Sequence, residues 1–357
     1  MSNSTFECGF SSLNDVLNQA ATHDTNITEL VQSCQSICNL VWGTGNPDLS
    51  GIGANISYIL QFVLIIIFGP IFLLVYGMRD RLGDYLNKRW GVDKEKIVVW
   101  VAEFVQLQDT FTDASAQFTI SVSVAMIVRI KQGAPLYEIT FLHALTSMQF
   151  LGLLSVLVAS AATAKEKTGR RAALLILYGL VDFGFYMGLV GFLRTSKASW
   201  SHIQELGTAC EGYGTILPGF TYAKSANFPN MSVNWKSDFN PHHFAHNLEI
   251  MGIVVGFILA GALGVCLTAL ICKGLYEVFR AANTAWLGFI SFGFTPGVLF
   301  FLVEMERTRS VMRSLTGSEF QDNQWGFGQV VSLFLWIPLV IQIFFVRYRG
   351  AGASARY

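Results

Sequence analysis

Positive charge is missing from the first 51 residues, which hold no Lys or Arg, and charge of either sign is scarce throughout. Only 13% of the 357 residues are charged, and 24 basic side chains balance 24 acidic ones. A neutral chain without a basic stripe has no electrostatic footprint for nucleic acid, so that class of partner is excluded. The P-loop, the G-x-S-x-G elbow and H-E-x-x-H are absent, which removes phosphate-cradling NTPases, α/β-hydrolases and zincin-type metalloproteases. No apolar segment carries an Asp-rich run able to hold magnesium against a diphosphate; Asp80 and Asp84 lie among basic residues. The N-terminus lacks the basic start and apolar core of a signal peptide. The last apolar segment has no Lys for a retinal Schiff base, and neither N-P-x-x-Y nor an acidic-Arg-Tyr end is present, which argues against a rhodopsin-type receptor.

What the chain has in excess is apolar length. Hydrophobic residues make up 52% of it, and the mean hydropathy is +0.45. Such a chain reads as a polytopic membrane protein of the all-α class. Seven spans are predicted, near residues 52–77 (with Pro70 inside), 97–130, 136–162, 172–193, 248–272, 284–303 and 327–346. They divide the chain into a luminal cysteine-containing tail (1–51), a transmembrane domain (52–346) with a luminal loop at 194–247, and a cytosolic tail (347–357). Loops holding Arg79 to Lys96 and Lys165 to Arg171 mark the cytosolic side. With the N-terminus outside and the C-terminus inside, 15 of the basic residues fall in the cytosol and 9 outside, the bias that orients membrane proteins. Cys8, Cys34, Cys38 and Cys210 then share the outer side, where an oxidising compartment allows two disulfides in any of three pairings. Sequons at Asn3, Asn26 and Asn230 fall there too. The endoplasmic reticulum, another endomembrane or the plasma membrane suits these features.

Chemistry is expected in two of the spans. The second, 97–130, carries Glu103, Gln106, Thr110, Asp113 and Gln117 at intervals of three and four, which places them on one helix face. A carboxylate facing lipid tails costs about 2.5–3.5 kcal/mol, so this seam is expected to face the bundle interior or a watery cavity. Asp113 and Gln117 lie within the hydrocarbon, while Glu103 and Asp109 fall at its cytosolic edge and read more naturally as a solvated face. In the fourth span Tyr178, Asp182 and Tyr186 recur every four residues, with Asp182 near the midplane. Such an acid is either a proton donor flanked by tyrosines or a hydrogen-bonded strut. In the third span Glu138 reads as solvated, and His143 as an interhelical donor near Gln149. His242, His246 and Glu249 share a helix face, but lack a firm third ligand and read as a solvated helix end, with no metal site expected. Glu304 and Glu306 read as boundary charges.

The bundle is rich in aromatics (29 Phe, 11 Tyr, 8 Trp), whose π-faces stabilise cations while an apolar cavity keeps water away. The cysteine-bearing tail, the run NLVWGTGNPDLSGIGANISYILQ and the seven-span layout resemble a set of filamentous-fungal membrane proteins. That set includes membrane-bound terpene cyclases of meroterpenoid pathways, of the ascofuranone and macrophorin type. The resemblance rests mainly on GTGNPDLSGIG and the topology, and it carries no catalytic residue across. It implies a farnesylated, epoxidised aromatic as substrate and a proton-initiated cyclisation, an isomerisation without metal, nucleotide or other cofactor. On that reading Asp182 is the proton donor, Asp113 or Glu103 its partner, and Tyr178 and Tyr186 orient the acid or stabilise cation. A seven-span receptor or ion-conducting protein, with the seam lining a path between helices, is the alternative.

Overall fold

In the computed structural model, residues 8–23, 26–34, 36–43, 45–91, 93–132, 134–163, 169–195, 205–206, 209–210, 273–316 and 321–354 are described. They are helical, with no strand among them. Four short helices, α1 (Leu13–His23), α2 (Ile27–Ser33), α3 (Ile37–Trp42) and α4 (Pro47–Ser50), precede the first span. The segment expected as a polar tail is therefore a folded cap, with Leu13, Val16, Leu30, Val31, Ile37 and Val41 buried. Two disulfides, Cys8–Cys34 and Cys38–Cys210, close it, which settles the pairing that the sequence left open.

The first span is built from α5 (Ile52–Ile66), a wide turn at Ile67–Ile71 and α6 (Phe72–Gly77). Pro70 causes the interruption. Its ring has no N–H to donate, and the chain widens to five-residue hydrogen bonding around it rather than breaking. Next come α7 (Arg79–Trp90), α8 (Lys94–Lys131), α9 (Leu136–Ala162) and α10 (Gly169–Thr195). The segment expected as a basic loop is thus largely the helix α7, which stops at Gly91 in a left-handed conformation (φ 64°) that closes its last turn. The long α11 (Lys273–Thr316) contains the predicted sixth span and extends through Arg307 to Arg313, a stretch expected as a loop. The last span divides into α12 (Phe327–Phe334) and α13 (Ile337–Ser354).

Among the described residues four helices are long and apolar enough to cross a membrane: Pro47–Gly77, Lys96–Lys131, Tyr137–Ala162 and Phe327–Phe345. A shorter apolar stretch covers Ala173–Gly188. The predicted fifth span at 248–272 lies outside the described residues. The hub is α9: 89% of its apolar window is buried, against 17% for the last span, which lies at the periphery.

Neutral polar pairs set the register of α5, α8 and α11 on α9. Gln61 of α5 and Gln149 exchange amides at 2.6 and 2.7 Å, and Thr119 of α8 donates to the same Gln149 oxygen at 3.1 Å. Farther along, Gln108 of α8 donates to Ser160 at 2.7 Å, and Ser155 meets Ser291 of α11 at 2.8 Å, with Gly69 against both hydroxyls. Where side chains are this small, backbones approach closely, the usual source of helix association in lipid.

These contacts also fix direction. Residues 61 and 69 lie beside 149 and 155, so α5 runs parallel to α9. Gln108 beside Ser160 and Thr119 beside Gln149 make α8 antiparallel. Gly179 near Leu157 and Tyr186 near Phe150 make α10 antiparallel as well. Ser291 beside Ser155 and Phe301 beside His143 do the same for α11.

Candidate functional site

The fourth-span triplet divides on folding. Asp182 and Tyr186 are 3% and 1% exposed, whereas Tyr178 is only half-buried. Four-residue spacing keeps Asp182 and Tyr186 on one face of α10, which packs on α8 and α9. The Tyr186 ring lies flat on Phe150 of α9, with centroids 4.3 Å apart and planes 8° apart, and Phe183 completes the contact at 6.3 Å. Oδ2 of Asp182 has no hydrogen-bond partner among the described residues. An acid group thus sits buried on the shorter apolar helix, one turn from an aromatic stack.

The seam on α8 faces elsewhere than expected. Glu103, Thr110 and Asp113 are half-buried, and Gln106 and Gln117 are exposed. The interior is taken by the opposite face, Gln108, Thr112, Ser115, Thr119 and Ser123, all buried. At about 100° per residue the two rows stand half a turn apart. The choice between them follows from desolvation. Small hydroxyls and an amide satisfy one another against α9, whereas Glu103 and Asp113 turned inward would need charged partners that α9 does not supply.

Thr110, Asp113 and Gln117 instead line a groove of about 370 Å³ between α8 and the C-terminal helices, whose other wall is Val331, Phe334, Leu335 and Pro338. No residue of α10 lines it, so Asp113 and Asp182 do not share that cavity. Glu103, at the N-terminal end of the seam, does not line it either.

The remaining candidates have structural settings. Glu138, expected to be solvated, is 3% exposed and takes a two-pronged hydrogen bond from Arg129, at 2.5 and 2.9 Å, across the α8–α9 turn. His143 is buried with its ring edge-on to Phe301. Glu304 pairs with Arg307 at 3.6 Å, as befits a boundary charge. His242, His246 and Glu249 lie outside the described residues, and no group of three metal-ligating side chains occurs among those described.

A further polar centre, not anticipated from the sequence, closes the cap end. Asp322, fully buried, accepts from the Tyr137 hydroxyl at 2.7 Å and lies 4.0 Å from Arg309. Burial holds its carboxyl above the ordinary carboxylate range, against the opposing pull of Ser50, Tyr137 and Arg309. Around it the run GTGNPDLSGIG clasps the start of the last span. Asp48 accepts from Gly328 N–H at 2.9 Å, Gln329 accepts from Gly53 N–H at 2.7 Å, and Ser57 receives Trp336 Nε1 at 2.8 Å. A methyl group at Gly53 would stand 2.7 Å from the Trp325 ring, so glycine there is a matter of close approach. The signal that could have found this clasp is the pair of Gly-rich, amide-rich runs at 43–53 and 321–329, both flanking spans. The GTGNPDLSGIG run thus has a structural setting at the start of the last span.

No protein-family model, curated protein or solved structure matches the chain.

Proposed function

We propose that the chain is a seven-span, membrane-bound terpene cyclase that closes the prenyl chain of an epoxide-bearing prenylated aromatic, as in fungal meroterpenoid pathways. The observation that carries this reading is Asp182, a buried acid with one carboxyl oxygen unpaired among the described residues, next to the Tyr186–Phe150 stack. The Asp182 O–H gives its proton to the epoxide oxygen and the C–O bond breaks. A prenyl π bond then attacks the electron-poor carbon to form the ring, and a proton lost from the final cation restores the acid. Substrate and product are isomers, so no oxidant, metal or nucleotide enters. The aromatic faces of Tyr186 and Phe150 stabilise the passing cation, and exclusion of water prevents its capture. Tyr178 is less buried than Asp182 and Tyr186. Asp113 and Gln117 lie in their own groove against Phe334 and Leu335, apart from Asp182. Neither Asp113 nor Glu103 is therefore assigned as the partner of Asp182 in the proton transfer.

The seven-span layout is supported by direction. Both α10 and α11 run antiparallel to α9, and Cys210, beyond α10, is tied to the cap. The fifth span expected at 248–272 is part of this proposal. A cap closed by two disulfides and free of basic residues fits an exterior or luminal N-terminus and a cytosolic C-terminus, in the endoplasmic reticulum, another endomembrane or the plasma membrane. The conducting alternative needs a wetted polar row. The seam residues Thr110, Asp113 and Gln117 line the groove against α12 and α13, which is where such a path would run.

The test is expression in a host fed farnesylated phenols with a terminal epoxide, followed by a search for a cyclised product of unchanged mass. Asp182→Asn is expected to abolish turnover with the protein still folded and inserted, and Tyr186→Phe to retain most of it. Turnover surviving in Asp182→Asn would move the acid elsewhere, and the absence of product from folded protein across such substrates would end the cyclase reading.

A further inference from the structure

The chain contains four Asn-X-Ser/Thr triplets, at Asn3, Asn26, Asn55 and Asn230, the first and last outside the described residues. The structure separates the other two. Asn55 opens the first span at 8% exposure, and its Ser57 is fully buried, donating to the Ser332 carbonyl at 3.1 Å while accepting from Trp336. No enzyme or sugar can reach that triplet without opening the bundle. Asn26 is the reverse case. Asn26, Thr28 and Glu29 are exposed, while Ile27, Leu30 and Val31 face inward and anchor the segment to the cap. Cys34, at the end of the same helix, is bonded to Cys8, so the segment belongs to the disulfide-closed part of the molecule. Glycan transfer and disulfide formation both take place in the secretory lumen, so the two marks belong on one side of the membrane.

We propose that Asn26 carries an N-linked glycan. The Asn26 side-chain oxygen accepts from Thr28 N–H at 3.0 Å, which leaves the amide nitrogen, Nδ2, as the reacting group. Nδ2 bonds to C1 of the sugar of a lipid-linked oligosaccharide diphosphate, the C1–O bond to the diphosphate breaks, and Nδ2 loses one proton to the transferase. The folded protein accommodates the product, because the exposed face of α2 points away from the cap core and from the bundle. The sugar also reports orientation: a glycan on Asn26 places the cap, and with it the Asp322 clasp, in the lumen. This inference stands independently of the cyclase reading.

The test uses the full chain expressed in a eukaryotic host and purified with both disulfides intact. Treatment with a peptide-N-glycosidase in heavy-oxygen water, followed by peptide mapping, is expected to convert Asn26 to labelled Asp. Asn26→Gln and Thr28→Ala should each remove one glycan increment from the gel mobility, Thr28→Ser should retain it, and Asn55→Gln should change nothing. An unmodified Asn26 peptide from folded, disulfide-bonded protein overturns the proposal, as does sugar found only at Asn3 or Asn230. Because the mapping is done on the unmutated chain, a variant that fails to fold leaves the result readable.

Discussion

Replacing Gln61 by Leu tests how the bundle is held together. Gln61 and Gln149 are 0% and 1% exposed, and each amide both donates to and accepts from the other. In Gln61→Leu the Gln149 oxygen keeps the Thr119 hydroxyl, but its Nε2 loses the partner at 2.7 Å in a site buried from solvent. An unsatisfied buried donor costs about 1–3 kcal/mol. Interhelical hydrogen bonds in membrane proteins average about 0.6 kcal/mol and reach about 1.7, because the separated helices find other partners. The two ranges overlap at about 1–2 kcal/mol, the expected loss for either Gln61→Leu or Gln149→Leu. The double variant removes both amides together, leaving the Thr119 and Ser115 hydroxyls, each of which can turn to a carbonyl of its own helix. It should therefore be less destabilised than the sum of the single changes by about 1–2 kcal/mol, the range just derived. The assay is the folded fraction of purified protein against the mole fraction of denaturing detergent in mixed micelles, for all four members of the cycle. Additivity to within about 0.5 kcal/mol would refute the paired-amide account and assign the stability of this layer to packing alone.

Three more outcomes follow from other parts of the molecule. Gly53→Ala should lower thermal stability by about 1–3 kcal/mol, the usual cost of overpacking, because the added methyl meets Trp325 and Gln329; unchanged stability would mean that the clasp is loose. Burial raises the Asp322 carboxyl, so its contribution to stability is fully present below the ordinary carboxylate value and is lost as pH rises through the higher folded-state value. Unfolding of Asp322→Asn, followed by melting across that acidic range, should accordingly be flatter with pH than that of the parent, and an identical slope would remove Asp322 as its source. Cys38→Ser or Cys210→Ser should cost about 2–4 kcal/mol, read as a lower melting temperature that reductant reproduces in the parent and no longer shifts as far in the variant.

The contrast between the two faces of α8 shows where sequence reading stops. Periodicity correctly identified a helix with a polar stripe, and it singled out the charged stripe because charge is the rarer signal in an apolar run. A second stripe of Ser, Thr and Gln was equally periodic. Which of them turns inward depends on what α9 offers across the interface, and α9 offers Gln149, Ser160 and a backbone carbonyl, which suit neutral groups. Glu138 reads as solvated in the sequence for a related reason: its partner, Arg129, lies nine residues earlier on the preceding helix, and only the tight α8–α9 turn brings them together.

Apolar length, the absence of basic residues before the first span, four cysteines grouped on one predicted side, and Asp182 sharing a helix face with Tyr186 were determined by the sequence alone. They depend on composition or on spacing within one element, and local geometry carries such information unaided. Tertiary structure alone decided the disulfide pairing, the central place of α9, the inward face of α8, the separation of the Asp113 groove from Asp182, and the clasp around Asp322. Each of these joins groups far apart in the chain, as Gly53 and Gln329 do, and which distant group lies opposite is set by packing the whole bundle.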